Sequence, residues 1–206
     1  VKTAKRVTQL GLTVGTSGNV SVRVSDNLFA ITPSGTPYET MKWTDVIVVD
    51  HDIDPVDGEG IPSSESLLHS AIYQQRGDVG AVIHTHSTYS SVLAVTGQTI
   101  PPILDEMVVH IGGAIEVSEY AFPATDELAR KVCIALGDRN AAIIRNHGAV
   151  GVGKDLDEAL YVSQLVERAA QIFVYSSLLG SASVLPSESI EAEMAIFRMK
   201  TQHEAH

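Results

Sequence analysis

The tightest constraint on the fold is a pair of histidines that closes one apolar run and a third that follows another. His84 and His86 come after Ala81-Val82-Ile83, and His147 comes after Ala141-Ala142-Ile143-Ile144. Side chains at i and i+2 of a strand point to the same face, so His84-Thr85-His86 offers two imidazoles to one side of a sheet. Burying two imidazoles together is costly unless each finds a partner, and a shared ion satisfies both. A neighbouring strand end bringing His147 would complete three neutral nitrogens, a set that suits Zn²⁺ with one position left open. A single strand-end histidine is ordinarily a hydrogen-bonded cap or a core residue; the pairing is what sets this site apart.

The rest of the chain supplies the elements to frame such a site. Short apolar or alternating segments at 20–24, 28–32, 46–50, 81–86, 141–144 and 149–152 read as strands, each bounded by turn residues. Helical spacing runs over 64–75, 88–95, 126–136 and 156–179, and again over 187–200 after a break at 180–186. The class is α/β, and because several strands follow one another after short turns, the sheet is expected to be mixed and largely antiparallel. The segment 50–62, rich in aspartate, glycine and proline, reads as a surface loop leading into a capped helix. Neither an internal repeat nor a low-complexity tract interrupts the pattern.

Size and charge narrow the function. At 206 residues and 44% hydrophobic content, the chain suffices for one domain with a substantial core. It carries 14 lysines and arginines against 25 aspartates and glutamates, a net charge of −11, with no basic run to grip a phosphate backbone, so no nucleic-acid partner is expected. An anionic substrate would have to be held by local dipoles and metal. The single cysteine, Cys133, excludes an intrachain disulfide and fits a reducing compartment, the cytoplasm. No apolar stretch approaches the roughly 20 residues needed to cross a bilayer, and no charged-then-apolar leader opens the chain, so neither a membrane partner nor secretion is expected. The sequence begins at Val1 without a methionine, which leads us to expect a missing N-terminal segment.

Three short loops have donor-rich turn chemistry. Pro62-Ser63-Ser64-Glu65 precedes a helix, Thr16-Ser17-Gly18-Asn19 precedes the first strand, and Thr32-Pro33-Ser34-Gly35-Thr36 follows the second. Serine before a helix and glutamate in its first turn are ordinary capping residues. The functional alternative is an anion cradle with a base beside it: glycine lets backbone approach a ligand, and serine or asparagine adds donors suited to phosphate oxygens.

The order of these pieces is distinctive: Thr16-Ser17-Gly18-Asn19-Val20-Ser21, Ile31-Thr32-Pro33-Ser34-Gly35, Ser63-Ser64-Glu65, His84-Thr85-His86, Asn146-His147-Gly148. From about Leu10 to Gly180 the chain resembles the class II aldolase and adducin-head family, most closely its fuculose-phosphate-aldolase branch. We take 1–206 as that single domain, with 185–206 expected either to be a mobile tail or to dock on a neighbour, and the resemblance implies three α/β/α layers around a mixed, largely antiparallel sheet. It also implies a homotetramer with active sites between subunits, and a sugar-phosphate substrate. Carried over by motif, His84, His86 and His147 would bind zinc, with cobalt or manganese as substitutes. Gly18, Asn19, Ser34, Gly35, Ser63 and Ser64 would bind the substrate phosphate, and Glu65 would be the catalytic acid/base. The implied reaction is reversible cleavage of a ketose 1-phosphate into dihydroxyacetone phosphate and an aldehyde.

Two departures qualify the match. Where that branch has a tyrosine after an Ile-Pro segment, this chain has Ile100-Pro101-Pro102-Ile103-Leu104 followed by Asp105-Glu106, so Glu106 takes the matching position, as a catalytic group or as a solvated or interface acid. No tyrosine follows Tyr175, although the branch uses one from its C-terminal tail. Ribulose-phosphate 4-epimerases, sugar-acid phosphate decarboxylases and methylthioribulose-phosphate dehydratases share the scaffold. The epimerases carry aspartate at the position of Glu65, which favours the aldolase. An adducin-like binding module has no need of the three histidines. His51, His69, His110, His203 and His206 are expected to be loop, helix, interface and tail residues.

Overall fold

Seven strands join one sheet in the order β4-β3-β2-β1-β5-β7-β6. The structure, a computed structural model, describes residues 1–203; His206 lies outside the described residues. The strands are β1 Asn19–Ser25, β2 Leu28–Ile31, β3 Ile47–Asp50, β4 Pro55–Asp57, β5 Ala81–Thr85, β6 Ala141–Ile144 and β7 Gly148–Gly153. Every ladder between them is antiparallel, and a lone bridge from Val117 to Ile143 runs parallel. The helices are α1 Lys2–Gln9, α2 Ser66–Gln75, α3 Thr88–Thr96, α4 Asp105–Ile111, α5 Asp126–Leu136, α6 Leu156–Leu179 and α7 Ser187–His203. The expected mixed α/β architecture is present. Helices α1 and α4 lie in segments whose spacing did not announce them, and β4 falls inside the stretch read as a loop; its three residues are exposed, at the sheet edge.

Alternation along the strands divides the core into layers. Val82, Ala142, Ile144, Val150 and Val152 pack under α2 and α5 with Leu68, Ile72, Leu128 and Val132. Ala141, Ile143 and Ala149 face the other way, toward α3, α4 and α6, with Leu93, Met107, Val162 and Val166. Helix α6 lies so close to the sheet that a Cβ on Gly151 would stand 2.6 Å from Ser163 Oγ, and one on Gly153 would stand 2.6 Å from the Ala159 nitrogen. Helix α6 is N-capped by Asp155, whose carboxylate accepts from the Glu158 N–H at 2.8 Å, and α5 by Thr125, whose hydroxyl accepts from the Leu128 N–H at 3.2 Å. Partway along α6, Glu167 accepts from the Tyr89 and Ser90 N–H groups at 2.9 Å each, capping α3 from outside. That bond fixes the chain immediately after His86. Helix α7 packs on α4, with Phe197 buried against Gly112.

Candidate active site

Strand register brings the two strand ends together. His84 pairs with Val150 and Thr85 with Ala149, so the start of β7 lies beside the end of β5. Between β6 and β7 the chain turns in three residues, Arg145-Asn146-His147, closed by a bond from the His147 N–H to the Ile144 carbonyl at 3.0 Å. Asn146 takes a left-handed conformation, φ 55°, which asparagine tolerates better than most residues. Gly148 then passes so near β5 that a Cβ would meet the Thr85 carbonyl at 2.2 Å and the His86 ring at 3.2 Å. The Asn146-His147-Gly148 motif is thus a geometric device that delivers His147 to His84 and His86.

The three imidazoles form a near-equilateral group, with ring centroids 4.7, 4.8 and 4.8 Å apart. His84 is fully buried, and its Nδ1 lies 2.9 Å from the Ala149 carbonyl, an acceptor only, so Nδ1 carries the proton and Nε2 offers a lone pair. That Nε2 sits 2.8 Å from His86 Nε2 and 2.9 Å from Glu65 Oε2, while His147 Nε2 lies 3.1 Å from Glu65 Oε1. Burial presses His86 down to about 4, and a proton on either neighbouring ring would press it further; burial also lowers His147, so both rings are neutral near pH 7. Burial alone would raise the Glu65 carboxyl, but positive charge held among His84 and His147, together with the Asn19 amide, brings it down to about 2. Lone pairs and an ionised carboxylate converging within such distances repel one another unless a cation lies among them. Glu65 Oε2 and His147 Nδ1 are also buried without a hydrogen-bond partner. The donor set therefore fits a metal ion, and it is such a group among the described residues.

Glu65 occupies the N-cap position of α2 but makes no cap hydrogen bond. Its side chain points at the histidines instead, which sets aside the capping reading of this residue. Ser63 meets the backbone: its hydroxyl accepts from the Glu65 N–H at 3.3 Å, and its carbonyl accepts from the Ser66 N–H at 3.1 Å. Ser63 is buried and Ser64 exposed. The loops carrying the other candidates are tied to this one. A bridge joins Pro33 to Pro62, the Ser34 N–H bonds to the Ile61 carbonyl at 2.9 Å, and Tyr38 Oη donates to the Gly18 carbonyl at 2.9 Å. Ser34 and Gly35 are exposed, while Gly18 has φ 79° and no room for a Cβ against the His84 carbonyl at 2.7 Å. Asn19 is buried, its oxygen 2.5 Å from His69 Nε2 and its amide on the Glu65 side, where it favours the ionised carboxylate.

Glu106 stands apart. On the first turn of α4 it makes an ion pair with Arg168 of α6, on the side of the sheet away from α2. His69 is the residue that sequence reasoning passed over: expected to be an ordinary helix position, it is fully buried and bonded to Asn19 and Ser21. The available signal was the four-residue spacing Glu65, His69, Tyr73 along one edge of α2.

Comparison with known proteins agrees with this construction. Residues 1–174 match the model of the Class II Aldolase and Adducin N-terminal domain. The chain is 33% identical over 199 residues to L-fuculose phosphate aldolase of Escherichia coli strain K12, covering 96% of this chain and 92% of the relative. It is 34% identical over 198 residues to 5-methylthioribulose-1-phosphate/5-deoxyribulose-1-phosphate aldolase of Rhodospirillum rubrum, covering 96% and 89%. A solved structure of L-fuculose 1-phosphate aldolase superposes with a TM-score of 0.90 at 36% identity, covering 96% of this chain and 93% of that one. The chain belongs to the class II aldolase and adducin N-terminal domain family. Within it, the chain is an enzyme of the aldehyde-lyase class.

Proposed function

We propose that this enzyme is a zinc-dependent class II aldolase that reversibly cleaves a ketose 1-phosphate, of the L-fuculose 1-phosphate kind, into dihydroxyacetone phosphate and an aldehyde. The observation that carries the reading is the position of Glu65, an ionised, buried carboxylate between His84 and His147 and next in sequence to the Ser63-Ser64 loop. Cleavage of a C3–C4 bond beside a carbonyl leaves an enediolate, whose developing charge is the chemical obstacle. His84, His86 and His147 would hold a divalent cation, which when bound supplies Lewis-acid stabilisation of that charge. As the carboxylate, Glu65 removes a proton from dihydroxyacetone phosphate in synthesis; in cleavage it gives the enediolate carbon a proton that it has first taken up from solvent.

Ser63 and Ser64, with the start of α2, and Gly18, Asn19, Ser34 and Gly35 surround the place for the phosphate; the helix N-terminal dipole and the hydroxyls of the exposed Ser34 and Ser64 favour an anion there. The residues 1–206 act as one domain, and the chains assemble as a homotetramer with sites at subunit boundaries. Exposed apolar side chains such as Phe122, Leu178 and Leu179 support assembly. Glu106 serves the aldehyde half across that boundary, since within one chain it faces Arg168. The relatives' names divide between fuculose and methylthioribulose or deoxyribulose phosphates, so the aldehyde is the variable half of the substrate.

The test is proton exchange at the hydroxymethyl carbon of dihydroxyacetone phosphate in D₂O, followed by NMR with zinc-loaded and chelated enzyme. Zinc-dependent exchange is expected. Its absence with zinc bound would shift the assignment to the epimerase or decarboxylase chemistries of the same scaffold.

A further inference from the structure

Asn19, Ser21 and Arg23 take alternate positions on β1, and their side chains meet α2 rather than solvent. Opposite them, Glu65, His69 and Tyr73 recur every fourth residue. A buried file of hydrogen bonds joins the two rows. The Asn19 amide meets Glu65, Asn19 Oδ1 lies 2.5 Å from His69 Nε2, His69 Nδ1 lies 2.6 Å from Ser21 Oγ, and Ser21 Oγ lies 2.7 Å from Tyr73 Oη. None of Asn19, Ser21, His69 and Tyr73 is more than 4% exposed.

One end of the file fixes the direction of every bond in it. An ionised carboxylate only accepts, so Asn19 turns its NH₂ toward Glu65 and its oxygen toward His69. His69 must then carry its proton on Nε2, which leaves Nδ1 to accept from the Ser21 hydroxyl. With that proton committed, Ser21 Oγ accepts from Tyr73 Oη. Reversing any member would set two acceptors face to face in a water-free space, where an unmade bond is most costly.

We propose that His69 is a positioning residue: it locks the Asn19 amide in the orientation that seats the Glu65 carboxylate for proton transfer at the substrate carbon. No proton travels along the file. The inference rests on the aldolase reading for what Glu65 does, and on the hydrogen-bond geometry for how Glu65 is held.

Two measurements test it on the metal-loaded enzyme. Long-range ¹H–¹⁵N correlation spectra of the imidazoles should show His69 as the Nε2–H tautomer; an Nδ1–H tautomer overturns the inference whatever the activity. His69→Phe keeps the ring volume but removes both bonds, whereas His69→Gln returns an N–H near the position of Nε2. In the dihydroxyacetone phosphate exchange assay, His69→Phe should retain its metal and a KM within about threefold while kcat falls roughly 10- to 100-fold, and His69→Gln should recover most of that loss. A KM effect with unchanged kcat, or equal losses in the Phe and Gln variants, overturns the positioning role. Should His69→Phe fail to fold, Ser21→Ala, which removes only the donor to Nδ1, should keep the Nε2–H tautomer that Asn19 Oδ1 demands and show a smaller fall in kcat; an Nδ1–H spectrum there would count against the file. A metal-loaded wild type that shows the Nε2–H tautomer but no exchange withdraws the aldolase reading and leaves the seating of Glu65 by His69 and Asn19 supported.

Discussion

Helices α2 and α6 cover opposite faces of the same sheet and do so on opposite terms. Helix α6 lies against Gly151 and Gly153 with Ala159, Val162, Ser163 and Val166, and there is no spare volume between it and β7. Helix α2 places Glu65, His69 and Tyr73 against Asn19 and Ser21 of β1, so that its contact there is a set of directional bonds. Close packing resists compression but does not choose the angle of a polar group; hydrogen bonds choose angles and become costly when a partner is lost. The face that must aim a carboxylate is the one built from bonds, and the face that must hold the sheet rigid is the one built from contact.

The largest effect expected of this difference is chemical. Glu65→Gln should lower proton exchange on dihydroxyacetone phosphate by about 10²- to 10⁴-fold while the protein remains folded and metal-bound; NMR exchange rates beside metal analysis and a thermal melt check it, and undiminished exchange removes Glu65 from the role. On the other face, Gly151→Val forces two methyl groups toward Ser163 and Val162 and should cost about 1–3 kcal/mol of stability. Urea unfolding reads that loss, and the exchange rate per folded molecule should hold; a variant as stable as the parent would show that α6 has more slack than its spacing implies.

Acid offers a smaller and more selective break. Burial holds His69 down to about 3 in the folded chain, against an ordinary 6.5. The unfolded state therefore takes that proton first. The stabilising contribution is complete above about pH 6.5 and is lost as pH falls toward 3, at no more than about 1.4 kcal/mol per pH unit. Unfolding of metal-free protein in urea at about pH 7 and about pH 5 should show a steeper decline for wild type than for His69→Gln; parallel declines would mean that other groups dominate. Smallest of all, Val24→Thr, at an exposed end of β1, should change stability by less than about 0.5 kcal/mol in the same assay, and a larger loss would show that this end of β1 is packed more firmly than its exposure indicates.

How much of this was legible depended on the kind of signal. The buried runs at 81–85 and 141–144 identified themselves as strands, and His84, His86 and His147 were found because burying several imidazoles together calls for a shared partner. Glu65 was found through the order of motifs; its spacing alone allowed an ordinary helix cap. Strand β1 was misleading in its faces. Asn19-Val20-Ser21-Val22-Arg23-Val24 alternates as though its valines were the core side, yet Ser21 is buried while Val24 is 56% exposed. Alternation reveals that a strand has two faces but not which one a polar helix will cover. His69 stayed hidden for the same reason, since a histidine inside a helix declares its partners only when the strand opposite is known. Helix α4 was missed because Asp105–Ile111 is short, and its ends are set by Gly112 and by packing under α7.

All three imidazoles and Glu65 come from one stretch of a single chain, residues 65–147, folded onto two adjoining strands and a helix start. An ion held by these groups would therefore take no ligand from a second copy: a lone protomer already carries the full donor set.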